Sequence, residues 1–246
     1  MMDGLPTLVA LGDPVASASH YMAAIVAAVA APSLIRMAGP GPVRRWVLSL
    51  FAVAVVCLFL ASGTFHVLDH GTFAREIARR VDHAAIWTLI AASLTAIYAL
   101  AFEGTRRWVI VTAIWVATLA GIVLKALFVE GLPEQLWLAL YLGLGWFGTL
   151  AMIEIAWTRG WSSVRLLMLG GAVYSGGALL DLARVPTLLP GVIGPHEVFH
   201  LAVIGGVFLH WRYVQQLATT SPARSGTFAQ EPSTRGIGPA LARAVG

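Results

Sequence analysis

The chain has 246 residues, 58% of them hydrophobic and only 11% charged, with a mean hydropathy of +0.80. A water-soluble domain carries about 25% charged residues, so the composition excludes one and describes a polytopic membrane protein. The net charge of +4 does not point to nucleic acid, because the basic residues are spread over the ends of apolar runs, as topology signals are.

Residues 1–19 read as a short polar N-terminal segment containing Asp3, Asp13 and two prolines. No Lys or Arg precedes the first apolar run, so no signal-peptide n-region is expected and that run should remain in the mature protein. Seven apolar runs follow: Tyr21–Met37, Trp46–Val67, Ala84–Phe102, Trp108–Val129, Leu136–Trp157, Val164–Leu180 and Val198–Val214. Each is about 20 residues long, the length a helix needs to cross about 30 Å of hydrocarbon. Gly39-Pro40-Gly41-Pro42, Gly131-Leu132-Pro133 and a loop from Pro186 to Pro195 punctuate the gaps, and Trp46, Trp108, Trp137, Trp157 and Trp161 stand near run ends as interfacial anchors. Only helices or a closed barrel satisfy backbone groups in lipid. The expectation is an all-α, seven-transmembrane-helix bundle over residues 20–217, followed by a polar, disordered tail over 218–246. Cys57, the single cysteine, lies inside an apolar run; it allows no internal disulfide and reads as a buried packing residue. Glycines such as Gly143, Gly145, Gly170, Gly171, Gly176 and Gly177 read as close-packing positions.

With alternating crossings, the N-terminus, the ends of even runs and the starts of odd runs share one membrane face. His20, His66, His70, His83, His196 and His200, six of the seven histidines, fall toward it, with Asp82, Lys125 and Asp181. Imidazole in a membrane is costly and calls for a role. His196 and His200 are four residues apart, about 40° around a helix axis, stacked one turn over the other. Ser62 and His66 repeat that spacing on the second run, and Asp82 opens the third. If the second, third and seventh runs pack together, three imidazoles, a carboxylate and a hydroxyl can meet at one depth. Three neutral imidazoles with an open fourth position are the pattern of catalytic zinc, which lowers the pKa of bound water to about 7. Asp82 can accept that water's proton or orient it, and Ser62 can donate to the water or to a substrate oxygen.

Plainer readings stand beside these. A single interfacial His is ordinarily a polar side chain reaching for headgroups, and His20, His70 and His83 are read so. The His196/His200 pair taken alone leaves ligation and packing both open. Asp82 beside Arg79 and Arg80 suits a helix N-cap, Lys125 a side chain reaching the interface near a helix end, and Asp181 with Arg184 an interfacial ion pair. His196-Glu197-Val198-Phe199-His200 also matches the H-E-x-x-H of zinc proteases. A membrane protease needs a third, acidic ligand well downstream, and beyond His200 there is no Asp and only Glu231 in the tail.

Three motifs in order, Ser62-Gly63-Thr64-Phe65-His66, Val81-Asp82-His83-Ala84-Ala85-Ile86 and His196-Glu197-Val198-Phe199-His200-Leu201, resemble the hemolysin III family, part of the progestin and adipoQ receptor group and more distantly like alkaline ceramidases. Gly121-Ile122-Val123-Leu124-Lys125 and Ala139-Leu140-Tyr141-Leu142-Gly143-Leu144-Gly145-Trp146 are similar to its fourth and fifth helices. The resemblance covers about residues 19–216. It implies a Zn2+ ion held by His66, His196 and His200, with Asp82 and Ser62 beside its water. The family's opening Glu and Asn are replaced here by Asp13-Pro14-Val15-Ala16-Ser17-Ala18-Ser19-His20, which keeps an acid and the His but no amide.

The N-terminal side carries five Lys or Arg and the other side eight, with three more in the tail, so positive-inside counting favours an external N-terminus and a cytoplasmic tail in a bacterial inner membrane. Function then divides between a zinc-dependent hydrolase of a membrane-lipid amide or ester, ceramide-like by resemblance, and a non-enzymatic cytolytic, pore-forming or sensor protein with structural zinc. A transporter would need charges at mid-membrane depth, and the sequence places none clearly there.

Overall fold

The computed structural model describes residues 13–128, 132–190 and 192–220. Its order is α1 (Pro14–Arg36), α2 (Pro42–Val67), α3 (Phe73–Ala101), α4 (Arg106–Leu127), α5 (Glu134–Trp146), α6 (Thr149–Arg159), a single 3-10 turn (Trp161–Val164), α7 (Arg165–Leu182) and α8 (Pro195–Thr219). Helices α5 and α6 form one crossing with a break at Phe147 and Gly148, so the protein is an all-α polytopic bundle of seven crossings. Six of the crossings are long and apolar by composition alone. The seventh, α8, is 25 residues long and carries His196, Glu197, His200, His210 and Arg212, which dilute its apolar character.

Helix starts follow local chemistry. Pro14, Pro42 and Pro195 occupy first-turn positions, where no amide hydrogen is needed. The Thr72 hydroxyl accepts the Arg75 N–H and opens α3 at Phe73, eleven residues before the apolar run begins at Ala84. The charged stretch Phe73–Val81 is therefore helix, held by Glu76 accepting from both Arg79 and Arg80. Asp82 is thus almost three turns inside α3 and cannot be its N-cap. Helix α1 likewise starts at Pro14, ahead of the apolar run at Tyr21.

Helix α3 is the central post. From Leu89 to Ala101 nearly every side chain is buried, against α2, α4, α5, α6 and α8. Helix α1 packs along α2, and α7 along α8. The second pair depends on absent side chains: a Cβ on Gly177 would lie 2.3 Å from Ala202 Cβ, and one on Gly206 2.8 Å from the Tyr174 ring. Helix α5 buries only Trp137 among its described residues, and so borders a cavity rather than filling the core. Cys57 faces outward from the bundle instead of packing inside it. The expected tail lies almost wholly outside the described residues, as do residues 1–12.

Candidate metal centre

The last turn of α2 presents His66 one turn beyond Ser62, and the first two turns of α8 present His196 and His200. The rings meet. His66 Nε2 lies 3.5 Å from His196 Nε2, and His200 Nε2 3.0 Å from His196 Nε2. The three ligand atoms all fall within 4.8 Å of one another. Tetrahedral zinc with bonds of about 2.0–2.1 Å sets neighbouring nitrogens roughly 3.3 Å apart, and the two measured separations bracket that value. His66 and His200 are each 3% exposed, while His196 is the open member of the set.

The outer nitrogens explain why the inner ones are free to ligate. His66 Nδ1 is 2.9 Å from Asp13 Oδ2, His196 Nδ1 3.4 Å from Asp181 Oδ2, and His200 Nδ1 2.8 Å from His20 Nε2. A carboxylate accepts only, so His66 and His196 carry their protons on Nδ1, and two bare Nε2 lone pairs face each other. Such an arrangement is repulsive until a cation or proton lies between them. His200, 2.8 Å from His20 through Nδ1, would donate there and leave its Nε2 free, giving a set of three neutral ligands. The donor set fits a borderline-soft divalent ion such as zinc.

Asp13 is the keystone on the α1 side. Its backbone N–H donates to the His66 carbonyl at 2.8 Å, and its carboxylate also accepts from Arg75 Nη2 at 3.0 Å. Burial would raise the Asp13 carboxyl, but the hydrogen bonds from His66 and Arg75 outweigh it and hold it below the usual carboxylate range. Arg75 in turn donates to the Phe65 and Leu68 carbonyls and lies over the Phe65 ring, locking the end of α2 to the start of α3. Ser17 donates to the Gly63 carbonyl at 2.9 Å and adds a second tie.

Asp82 enters from α3, 7% exposed, and Ser62, 3% exposed, enters from α2. Both line the same cavity as the three histidines. Ser62, His66, Asp82, His196 and His200 therefore line one cavity. Several plainer expectations need correction. His20 is 3% exposed and bonded to His200, so it supports a ligand and does not reach for headgroups. Asp181 turns to His196, while Arg184 pairs with Glu134 at 3.4 Å. Lys125 Nζ sits 4.3 Å from the Trp137 ring centroid and lines the cavity. The Glu197 carboxylate accepts the Gly194 N–H at 2.8 Å and does not line the site, so it is no protease base.

Asp13, Asp181 and Arg75 went unrecognised as parts of the site. One signal was present: Asp13 and His20 are seven residues apart, two helical turns, and so share a face. The cavity itself had no signature in the sequence. It encloses about 550 Å³, begins at the histidines and runs between α3, α5, α7 and α8 as far as His210. His200 and His210 are ten residues apart on α8, so it extends about 15 Å along that helix. Its inner walls are mostly apolar, with Leu89, Ile90, Leu94, Ile97 and Met152 among them.

The family model described as Haemolysin-III related matches residues 11–211. The Hemolysin-3 homolog of Bacillus subtilis (strain 168) is 29% identical over 159 residues, spanning 64% of this chain and 70% of that one. Hemolysin-3 of Bacillus cereus is 28% identical over 159 residues, with 64% and 68% covered. The Adiponectin receptor protein of Drosophila melanogaster is 26% identical over 186 residues, covering 69% of this chain and 42% of its own length. On a family match that spans the N-terminal anchor, all three histidine positions and most of the seventh crossing, the chain belongs to the haemolysin-III related family.

Proposed function

We propose that this protein is a zinc-dependent hydrolase of a membrane-lipid amide or ester. The observation that carries this is the position of three oriented imidazoles and a buried carboxylate at the head of an apolar cavity. When bound, the ion supplies Lewis acidity toward a carbonyl oxygen. His66, His196 and His200 would hold it, and Asp13, Asp181 and His20, bonded to the outer ring nitrogens, orient those rings. Asp82 takes the proton from the attacking water and passes it to the amine or alcohol that leaves. Ser62 lines the same cavity as Asp82 and offers a hydroxyl to that water or to a substrate oxygen. The apolar walls receive the acyl chain and keep bulk water from the reacting carbonyl. Its setting is a bacterial inner membrane with the N-terminus outside, supported by the excess of Arg on the opposite side.

The test is fatty-acid release by purified, metal-loaded protein in lipid nanodiscs, across a panel of lipid amides and esters. Turnover by the wild type that disappears in His200→Ala is the expected result. An inert wild type holding one zinc per chain overturns the assignment. The names of the relatives favour a second reading, a cytolytic or receptor-like protein whose zinc is structural. Leakage of dye from liposomes that survives His66→Ala is the outcome that supports it.

A further inference from the structure

The wall of the cavity beside the metal centre has a chemistry of its own. Lys125 comes from α4, and Trp137 and Tyr141, one turn apart, from one face of α5; all three line the cavity that Asp82, His66 and His196 also line. Trp137 is only 4% exposed, yet its indole N–H has no hydrogen-bond partner among the described residues, and neither has the Tyr141 hydroxyl. A buried donor left unmade costs about 1–3 kcal/mol, so two side by side on a cavity wall mark a place where something else supplies the acceptor. Lys125 adds the charge. It rests 4.3 Å from the Trp137 ring centroid and makes no ion pair with any described carboxylate. An indole N–H and an ammonium can only donate, and the Tyr141 phenol, whose ring lies 4.9 Å from that of Trp87, has an O–H left to give. Glu134, the acid whose charge acts on Lys125, is paired with Arg184 at 3.4 Å.

A wall made of donors and one cation is only half met by a neutral head bearing hydroxyls, whose oxygens accept from the donors but leave the Lys125 charge uncompensated. It matches oxygen acceptors carrying negative charge. We infer that Lys125, Trp137 and Tyr141 form a subsite for the anionic group, carboxylate or phosphate, of a lipid whose acyl chain occupies the apolar cavity. The subsite deepens the hydrolase assignment by naming its substrate class as an acidic lipid amide or ester, and it rests on that assignment for turnover but not for binding. Lys125 and the two N–H or O–H donors act as specificity residues: they hold the acidic group while the carbonyl faces the histidines.

Binding is measured in nanodiscs by native mass spectrometry, with N-palmitoylglycine against its neutral methyl ester as the carboxylate pair and lysophosphatidic acid against monoacylglycerol as the phosphate pair. The wild type is expected to prefer the acidic member of at least one pair by about tenfold, the scale of a charge-assisted hydrogen bond; the pair that shows the preference identifies the acid. Lys125→Met should abolish it, Lys125→Arg should keep most of it, and Tyr141→Phe and Trp137→Phe should each reduce it severalfold. Metal-stripped His200→Ala should retain the preference, because the subsite is built without the ion. Equal binding of acidic and neutral members in the wild type, or a preference unchanged in Lys125→Met, overturns the subsite. A preference lost in His200→Ala but kept in Lys125→Met does so too, assigning the anion to the metal. A wild type that binds the acidic lipid and does not cleave it leaves the subsite standing and removes only the hydrolase.

Discussion

Removing the carboxylate of Asp13 is the most discriminating perturbation of the metal centre. Asp13 Oδ2 accepts from His66 Nδ1 at 2.9 Å and from Arg75 Nη2 at 3.0 Å. In Asp13→Ala the His66 ring loses the partner that sets its tautomer, and the proton can move to Nε2, the atom needed for ligation. Loss of such a partner typically costs 10–100-fold in metal affinity, or about 1.4–2.8 kcal/mol. Asp13→Asn should fall at the lower end, because its amide oxygen can still accept from His66 while its NH2 faces the Arg75 guanidinium, donor against donor. Asp181→Asn should cost less again, since its contact with His196 is longer, at 3.4 Å, and His196 is more exposed. The assay is competition for zinc against a chelating dye in detergent, with His66→Ala as the reference for complete loss. The sign with pH is defined. A carboxyl held below the usual range stabilises the fold above about pH 4 and loses that contribution as pH falls further. Zinc release on mild acidification therefore reports protonation of the ligands, with Asp13 still ionised. If Asp13→Ala binds zinc as tightly as the wild type while His66→Ala does not, the account of how His66 is oriented is wrong.

Asp82→Asn should keep its zinc and fold but lower turnover by about 10²–10⁴-fold, the usual share of a positioned acid or base; metal content and fatty-acid release on the same sample check it. Glu197→Ala should hold zinc normally and lose only about 1 kcal/mol of stability with its hydrogen bond from the Gly194 N–H; a protein stripped of metal by that change would revive the protease motif. Gly177→Ala and Gly206→Ala should lower the thermal midpoint in detergent, each by overpacking of about 1–3 kcal/mol, because their new methyls meet Ala202 and Tyr174. Gly143→Ala and Gly171→Ala, which meet nothing within 4 Å, should be neutral by the same measurement.

Much of the site was legible because helical spacing alone stacks Ser62 over His66 and His196 over His200, whatever the rest of the bundle does. The apolar runs likewise announced their crossings, since a lipid core accepts few alternatives to a helix. Helix ends were less legible. The charged segment from Phe73 to Val81 gives no hydropathy signal, yet Thr72 and the Glu76 pairs make it helix, and this moved Asp82 from a cap to the interior.

Composition and a period of 3.6 were enough for the class of the protein, its seven crossings and the pairing of Ser62 with His66 and of His196 with His200 on single helix faces, because these are local properties of the chain. What only the tertiary structure decided was which groups stand behind those residues. Asp13, His20 and Asp181 reach His66, His200 and His196 across 53, 180 and 15 residues of chain, and no periodicity in one helix specifies a partner on another. The cavity is decided in the same way: it is the space left where α5 does not close on α3 and α7, a property of how helices meet and not of any one of them.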